Sequence, residues 1–249
     1  MNASITFRGE TREIKLNKAI DLSMMLSPES ARAWYQKPLQ IEPVRDGDFV
    51  GDVKAGSPVN FKNIQFNPHA HGTHTECYGH ISDDDAVVSD CITEAFHFAE
   101  LISIKPNQST SGDFVIEKKQ LEAHLNTIGN DINSLIIRTL PNNLDKCSKL
   151  YSDTNPAYLS AEAMTFIVDL GIEHLLIDLP SVDKEHDEGR LEAHKLFWNF
   201  PKNIRTHASI TELIYVPNQL EDGSYLLQIQ FPKFKLDASP SRISVWALN

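Results

Sequence analysis

Asn67-Pro68-His69-Ala70-His71-Gly72-Thr73-His74-Thr75-Glu76-Cys77-Tyr78-Gly79-His80 holds four of the chain's 10 histidines, with a carboxylate among them. Imidazole and carboxylate are the ligands of Zn²⁺, Mn²⁺ and Fe²⁺. A lone histidine is usually a packed or surface residue, but four in a dozen positions around a glutamate point to a metal. His74 and Glu76 are two apart, so in an extended chain they face one side. His69 and His71 share a face, and Gly72 frees the backbone to bend between them and His74. A carboxylate between histidines can bridge two ions. His80 is either a further ligand or a general acid/base, since imidazole exchanges protons near neutral pH. The spacing does not fit the helical His-Glu-x-x-His protease pattern. Asp83-Asp84-Asp85 reads as a solvated loop, and Cys77 has no sign of an activated thiolate.

The elements that must position these groups read as follows. Ile5–Phe7 and Glu13–Leu16 form a hairpin, and Val59–Phe66 alternates as a half-buried strand leading into the histidines. Lys118–Thr127 is a helix ending near Gly129. Ser134–Thr139 is a strand. Ser160 caps a helix over Ala161–Leu170 that stops at Gly171. His174–Leu179 is a buried strand and Asp187–Trp198 a helix with Leu191, His194 and Trp198 at helical spacing. Ile210–Val216, Tyr225–Phe231 and Arg242–Ala247 close the chain as strands. The result is an α/β mixture with a substantial mixed sheet, in one domain over 1–249, because no repeat or linker divides it.

With 249 residues the chain can bury a sizeable core, and its 41% hydrophobic and 23% charged residues are those of a globular protein. A net charge of −11 argues against nucleic acid or an anionic membrane as partner. Three dispersed cysteines, odd in number and without a Cys-x-x-Cys pair, predict neither a disulfide framework nor a thiolate zinc site and suit a reducing cytoplasm. The N-terminus does not read as a signal peptide, and no run of ~20 apolar residues predicts a membrane span.

Several elements, in order, resemble the cyclase family of metal-dependent hydrolases, which includes bacterial kynurenine formamidase and isatin hydrolase. Gly72-Thr73-His74, Glu76 and His80 resemble its His-x-Gly-Thr-His-x-Asp-x-Pro-x-His signature. Asp21-Leu22-Ser23, Leu135–Thr139, Leu159-Ser160-Ala161-Glu162-Ala163, Asp178–Asp183, His194, Glu212 and Ser239-Pro240-Ser241-Arg242 are similar to further family elements. The resemblance implies a swivelling β/β/α fold, homodimeric or homotetrameric, with one or two divalent ions. Zn²⁺ is favoured by affinity order and Mn²⁺ tolerated by the carboxylates. By position His74, Glu76, His194 and Glu212 become ligands, with Glu76 and Glu212 reaching both ions, and His80 the proton shuttle.

Three departures stand out. Ala70 occupies the place of the family's first histidine, so His69 or His71 must serve. His69 is preferred because Pro68 stiffens its approach and the bend at Gly72 absorbs one residue. Glu76 replaces aspartate, adding ~1.5 Å of reach. Tyr78-Gly79 replaces the proline before His80. The implied reaction is hydrolysis of an amide or lactam C–N bond, of the N-formylkynurenine or cyclic-amide type, as in tryptophan catabolism. A bound ion would acidify a water and His80 would protonate the leaving nitrogen. Tyr78 and Trp34, with Phe66 and Trp198 behind them, are candidates to stack on a planar small-molecule substrate. Lactone opening or dehydration on the same scaffold, or a drifted binding protein without catalysis, are the alternatives.

Overall fold

The runs Ser134–Thr139 and His174–Ile177 each hold three consecutive apolar residues, Leu135–Ile137 and Leu175–Ile177, and strands of that kind need cover on both faces. In the computed structural model, which describes residues 1–126, 128–129 and 131–248, they lie side by side in the middle of a nine-stranded sheet. Its strands are β1 (Ile20–Asp21), β2 (His74–Glu76), β3 (Phe96–Ile104), β4 (Ser134–Thr139), β5 (His174–Ile177), β6 (Ser209–Glu212), β7 (Gly223–Gln230), β8 (Ala238–Pro240) and β9 (Arg242–Ala247). They are ordered β8-β2-β6-β5-β4-β3-β7-β9-β1. β6, β5, β4 and β3 run parallel. The outer strands pair antiparallel, which makes the sheet mixed.

Period-two alternation divides the core. Leu135, Ile137, Leu175 and Ile177 enter one cluster, and their neighbours Ile136 and Leu176 enter the other. The first cluster is closed by helices α2 (Lys118–Leu125), α3 (Ala161–Asp169) and α4 (Glu192–Trp198), through Leu121, Met164, Ile167, Phe197 and Trp198. The second gathers Leu22, Leu101, Ile214, Leu227 and Val245 from the antiparallel half and the chain that follows β6. A one-turn helix α1 (Val88–Cys91) lies between β2 and β3. No helix among the described residues is long and apolar enough to cross a membrane.

Ser160 caps α3 as expected, its Oγ accepting from the Ala163 N–H. Ser134–Thr139 and Arg242–Ala247 form with the anticipated boundaries, and the N-terminal hairpin pairs Asn2–Phe7 with Glu10–Lys15. Other elements are shorter than their sequences imply. The strand expected over Val59–Phe66 is only Lys62–Gln65, and all four residues are exposed on a ribbon with Gln40–Pro43. The helix expected over Lys118–Thr127 closes at Leu125, and Thr127 lies outside the described residues.

The helix expected from Asp187 begins at Glu192, because the Asp187 carboxylate takes the N–H groups of Gly189 and Leu191 into a turn and Leu191 has φ +47°. The strand expected over Ile210–Val216 stops at Glu212, where Leu213 turns the backbone to φ +53°. That stop places Glu212 at the carboxyl end of β6, the edge of a parallel sheet where ligand sites form.

Candidate metal centre

β2 pairs antiparallel with β6 so that His74 lies opposite Glu212 and Thr75 opposite Thr211. His74, Glu76 and Glu212 therefore share one face. On the other, the Thr75 hydroxyl meets those of Thr211 at 2.8 Å and Ser241 at 2.6 Å. This hydroxyl chain staples β2 between its neighbours and holds the side chains of the opposite face in register. Gly72 sets the approach to the strand. Its φ is +63°, and a Cβ there would lie 2.6 Å from the Leu26 side chain.

The expected ligands His69, His74, Glu76, His194 and Glu212 come together around two buried carboxylates. Glu76 is 1% exposed. Its Oε2 lies 2.9 Å from His69 Nδ1, and its Oε1 3.1 Å from His194 Nε2. His194 Nε2 is 3.9 Å from Glu212 Oε1, which also accepts from the Val182 N–H at 3.1 Å. The longer glutamate arm thus spans imidazoles from two different elements. His69, His74 and Glu76 form one group of atoms with metal-holding spacing, and Glu76, His80 and His194 form a second.

His74 decides whether these groups suit a cation. Its Nδ1 is 3.0 Å from the Gly72 carbonyl, which can only accept, so Nδ1 carries the proton. In its neutral form the ring presents a lone pair at Nε2. That atom is fully buried, has no hydrogen-bond partner, and faces Glu212 Oε2 at 3.4 Å. An acceptor aimed at an acceptor in a dry site is costly, and a divalent cation between them removes the cost. The donor set fits a metal of the Zn²⁺ or Mn²⁺ kind.

His194 is oriented from behind. Asp183 Oδ1 accepts from the Ala193 N–H at 2.7 Å. Its Oδ2 takes the His194 N–H at 3.1 Å and His194 Nδ1 at 2.5 Å. One carboxylate from the β5–α4 connection therefore caps α4, whose own N-cap residue is Leu191, and turns His194 Nε2 toward Glu76. Asp183→Asn is expected to weaken metal binding by ~10–100-fold and to destabilise the fold by about 1–3 kcal/mol. Competition against a chromophoric chelator and thermal unfolding measure the two effects, and unchanged metal affinity would refute the orienting role.

Charges in the cluster are strongly coupled. Burial opposes the charge on His69, but hydrogen bonds to Asp237 and Glu76 overcome it and raise its pKa to about 10. For His194 burial is likewise outweighed, by Asp183 and Glu76, again to about 10. Burial pushes Glu76 upward, yet the surrounding imidazoles hold it well below the usual carboxylate range. Glu212 is raised, first by burial and then by the charge of Glu76.

Without metal, His69 and His194 therefore carry protons at neutral pH. Their stabilisation of the metal-free fold is fully present below the ordinary histidine pKa of ~6.5 and is lost as pH rises through about 10. Metal uptake must expel these protons. Zinc binding at pH 7 is expected to release protons, read as a calorimetric enthalpy that varies with the buffer's ionisation enthalpy, and to tighten with rising pH. A buffer-independent enthalpy would contradict this.

His80 occupies the outer side. Its ring centroid lies 4.2 Å from that of His69 and 5.3 Å from that of His194. Nδ1 is 3.9 Å from Glu76 and 3.6 Å from Asp237. His71 is turned away: Nδ1 accepts from the Asn67 N–H and Nε2 donates to the Lys37 carbonyl. Tyr78 packs at the edge of the helix-side core. Trp34, at φ +56°, packs against a separate cluster of Met24, Ala31, Ala33, Tyr151 and Leu213. Trp198 lies fully buried beneath His194, with ring centroids 5.6 Å apart. Cys77 is buried, and the neighbouring Cys91 thiol and burial push its pKa up, away from nucleophilic character.

Asp237 escapes any reading of spacing. It precedes β8, and its Oδ2 lies 2.7 Å from His69 Nε2, so His69 sits between two carboxylates. Burial works against the Asp237 charge, but the hydrogen bond from His69 and the nearby His80 imidazole lower its pKa. Its only sequence signal is proximity to the Ser239–Arg242 element.

A buried His/Glu cluster that could hold a metal lies at the carboxyl edge of a mixed sheet in a protein of α/β class. The Cyclase family profile matches residues 20–184, and the chain belongs to that family. Solved structures share the fold. A predicted metal-dependent hydrolase from Bacillus stearothermophilus is 16% identical with a TM-score of 0.63, over 92% of this chain and 98% of that one. Isatin hydrolase A from Labrenzia aggregata, bound to benzyl benzoate, is 14% identical with a TM-score of 0.67, over 93% and 94%. An isatin hydrolase bound to the product analogue thioisatinate is 14% identical with a TM-score of 0.66, over 93% of each chain. No curated protein matches the sequence.

Proposed function

We propose that the protein is a metal-dependent hydrolase that opens the amide C–N bond of a small cyclic amide or aryl formamide. The observation that carries this reading is the buried, partnerless Nε2 of His74 facing Glu212, beside Glu76 and His194. In this reading His69, His74, Glu76, His194 and Glu212 hold one or two ions, with Glu76 reaching both. A divalent ion held there supplies Lewis-acid polarisation and a water acidified toward neutral pH. Asp183 holds His194 in the binding orientation, and Asp237 does the same for His69. His80, half-exposed at the rim, accepts a proton and delivers it to the leaving nitrogen, without which an amine leaves poorly.

Tyr78 and Trp34 are the proposed contacts for a planar substrate. The likeness to isatin hydrolases favours the cyclic amide over the formamide. We place the protein in the cytoplasm as a homo-oligomer acting on a small molecule. The test is hydrolysis of isatin, N-formylkynurenine and an aliphatic lactone by protein loaded with Zn²⁺ or Mn²⁺. Amide turnover above that of the lactone is expected. Fully loaded protein inert toward both amides would overturn the reading.

A further inference from the structure

The histidine cluster has an outward side as well as a buried one. There His69, His80 and Asp237 each place one donor atom within 4.8 Å of the others. Asp237 Oδ2 lies 2.7 Å from His69 Nε2 and 3.6 Å from His80 Nδ1. Four-coordinate zinc with bonds of ~2.0 Å holds its ligand atoms roughly 3.3 Å apart, so movements well under 1 Å would seat an ion among them. His69 faces Glu76 through Nδ1 and this outer group through Nε2.

The outer group is open to solvent. Its three side chains are between 22% and 29% exposed, whereas those of His74, Glu76, His194 and Glu212 are at most 4% exposed. Beside it lies a hollow of about 310 Å³, walled in part by Asp84, Asp85 and Asp237 against the single cation Lys235. Three carboxylates to one ammonium make this an entrance that concentrates cations. The backbone is shaped to keep the group together. A Cβ at Gly79 would lie 2.8 Å from the Ala86 carbonyl oxygen and 3.0 Å from Asp237 Cβ, so glycine is what lets the turn carrying His80 press against Asp237.

We propose that His69, His80 and Asp237 form an outer, weaker site for a divalent cation such as Zn²⁺, and that filling it stops turnover by occupying His80. The ion takes His80 Nδ1, Asp237 Oδ2 and His69 Nε2, which releases its proton to solvent. With Nδ1 on the ion, the other nitrogen of His80 keeps its hydrogen and has no lone pair to accept a proton. The inhibitory part rests on the reading of His80 as proton carrier, and the binding part does not.

Equilibrium dialysis against graded Zn²⁺, on protein whose inner centre is already loaded, tests the site. One further equivalent per chain is expected, at least ~10-fold weaker than the inner metal. Amide hydrolysis should fall at least ~10-fold as it fills and return when the excess metal is dialysed away. His80→Ala and Asp237→Asn are each expected to weaken the further equivalent at least ~10-fold, and His80→Ala to keep the inner metal. No further equivalent, one unmoved by both variants, or one that fills with hydrolysis unchanged would overturn the proposal. Loaded protein inert toward both amides before excess zinc is added would overturn the hydrolase reading instead, and the isotherms of the two variants would still decide the outer site.

Discussion

Replacing Glu76 by Gln is expected to lower metal affinity by at least ~100-fold, beyond what the loss of a supporting contact alone costs, and to abolish hydrolysis at stoichiometric metal. The side chain is buried and receives His69 and His194 on separate oxygens. Gln keeps the volume but offers one neutral acceptor in place of two charged ones. It also cannot bridge two ions. In the metal-free protein the change removes the charge that holds His69 and His194 protonated. Their pKa values should fall toward the ordinary histidine range, and the buffer-dependent proton release on zinc binding should shrink. Metal analysis after dialysis, with the same calorimetric experiment, reads both effects. Wild-type metal content in Glu76→Gln would remove Glu76 from the centre.

His80→Ala is expected to retain metal and to lose at least ~100-fold in kcat, the scale of general acid/base catalysis. The geometry separates His80 from the deeper set. His74, His194, Glu76 and Glu212 side chains are at most 4% exposed, whereas that of His80 is 29% exposed. Its Nδ1 stands beyond hydrogen-bond distance of both nearby carboxylates, so the ring is not locked to either. The backbone is fixed where it matters, because the His80 N–H donates to the Cys77 carbonyl at the end of the metal strand. A group near the cluster, open to solvent and anchored through its main chain can move a proton between leaving atom and water. A drop of only a few-fold would contradict the role. Loss of metal in the same variant would make His80 a ligand instead.

Local signals are legible in the sequence where one element fixes the answer. The two-residue spacing of His74 and Glu76 places both on one face whatever the partner strand. Ser160 caps α3 by contacts within one turn. The alternation Leu135-Ile136-Ile137 describes a strand covered on both sides. Long-range pairing hides the rest. Asp237 reaches His69 across 168 residues only because β8 lies beside β2. The central strand Phe96–Ile104 mixes His97 and Glu100 among its apolar residues and gives no clean period.

α4 starts five residues later than its helical spacing implies, because Asp187 and Asp183 claim the N–H groups ahead of it and at its first turn. The sequence leaves His69 and His71 as equals in type, and the fold separates them. Asn67 and the Lys37 carbonyl occupy both nitrogens of His71, while His69 turns to Glu76. Trp34 is partly buried against the cluster of Met24, Ala31, Ala33, Tyr151 and Leu213, a packing that its sequence neighbours do not announce.

His74, Glu76, His194 and Glu212, joined by His69, are expected to form a metal centre. Metal content per chain, measured by elemental mass spectrometry on protein reconstituted with Zn²⁺ or Mn²⁺ and then dialysed, tests it most directly. One or two equivalents in the wild-type protein, falling below a tenth of an equivalent in Glu76→Gln, is the predicted result. Metal well below one equivalent in fully folded wild-type protein would contradict it.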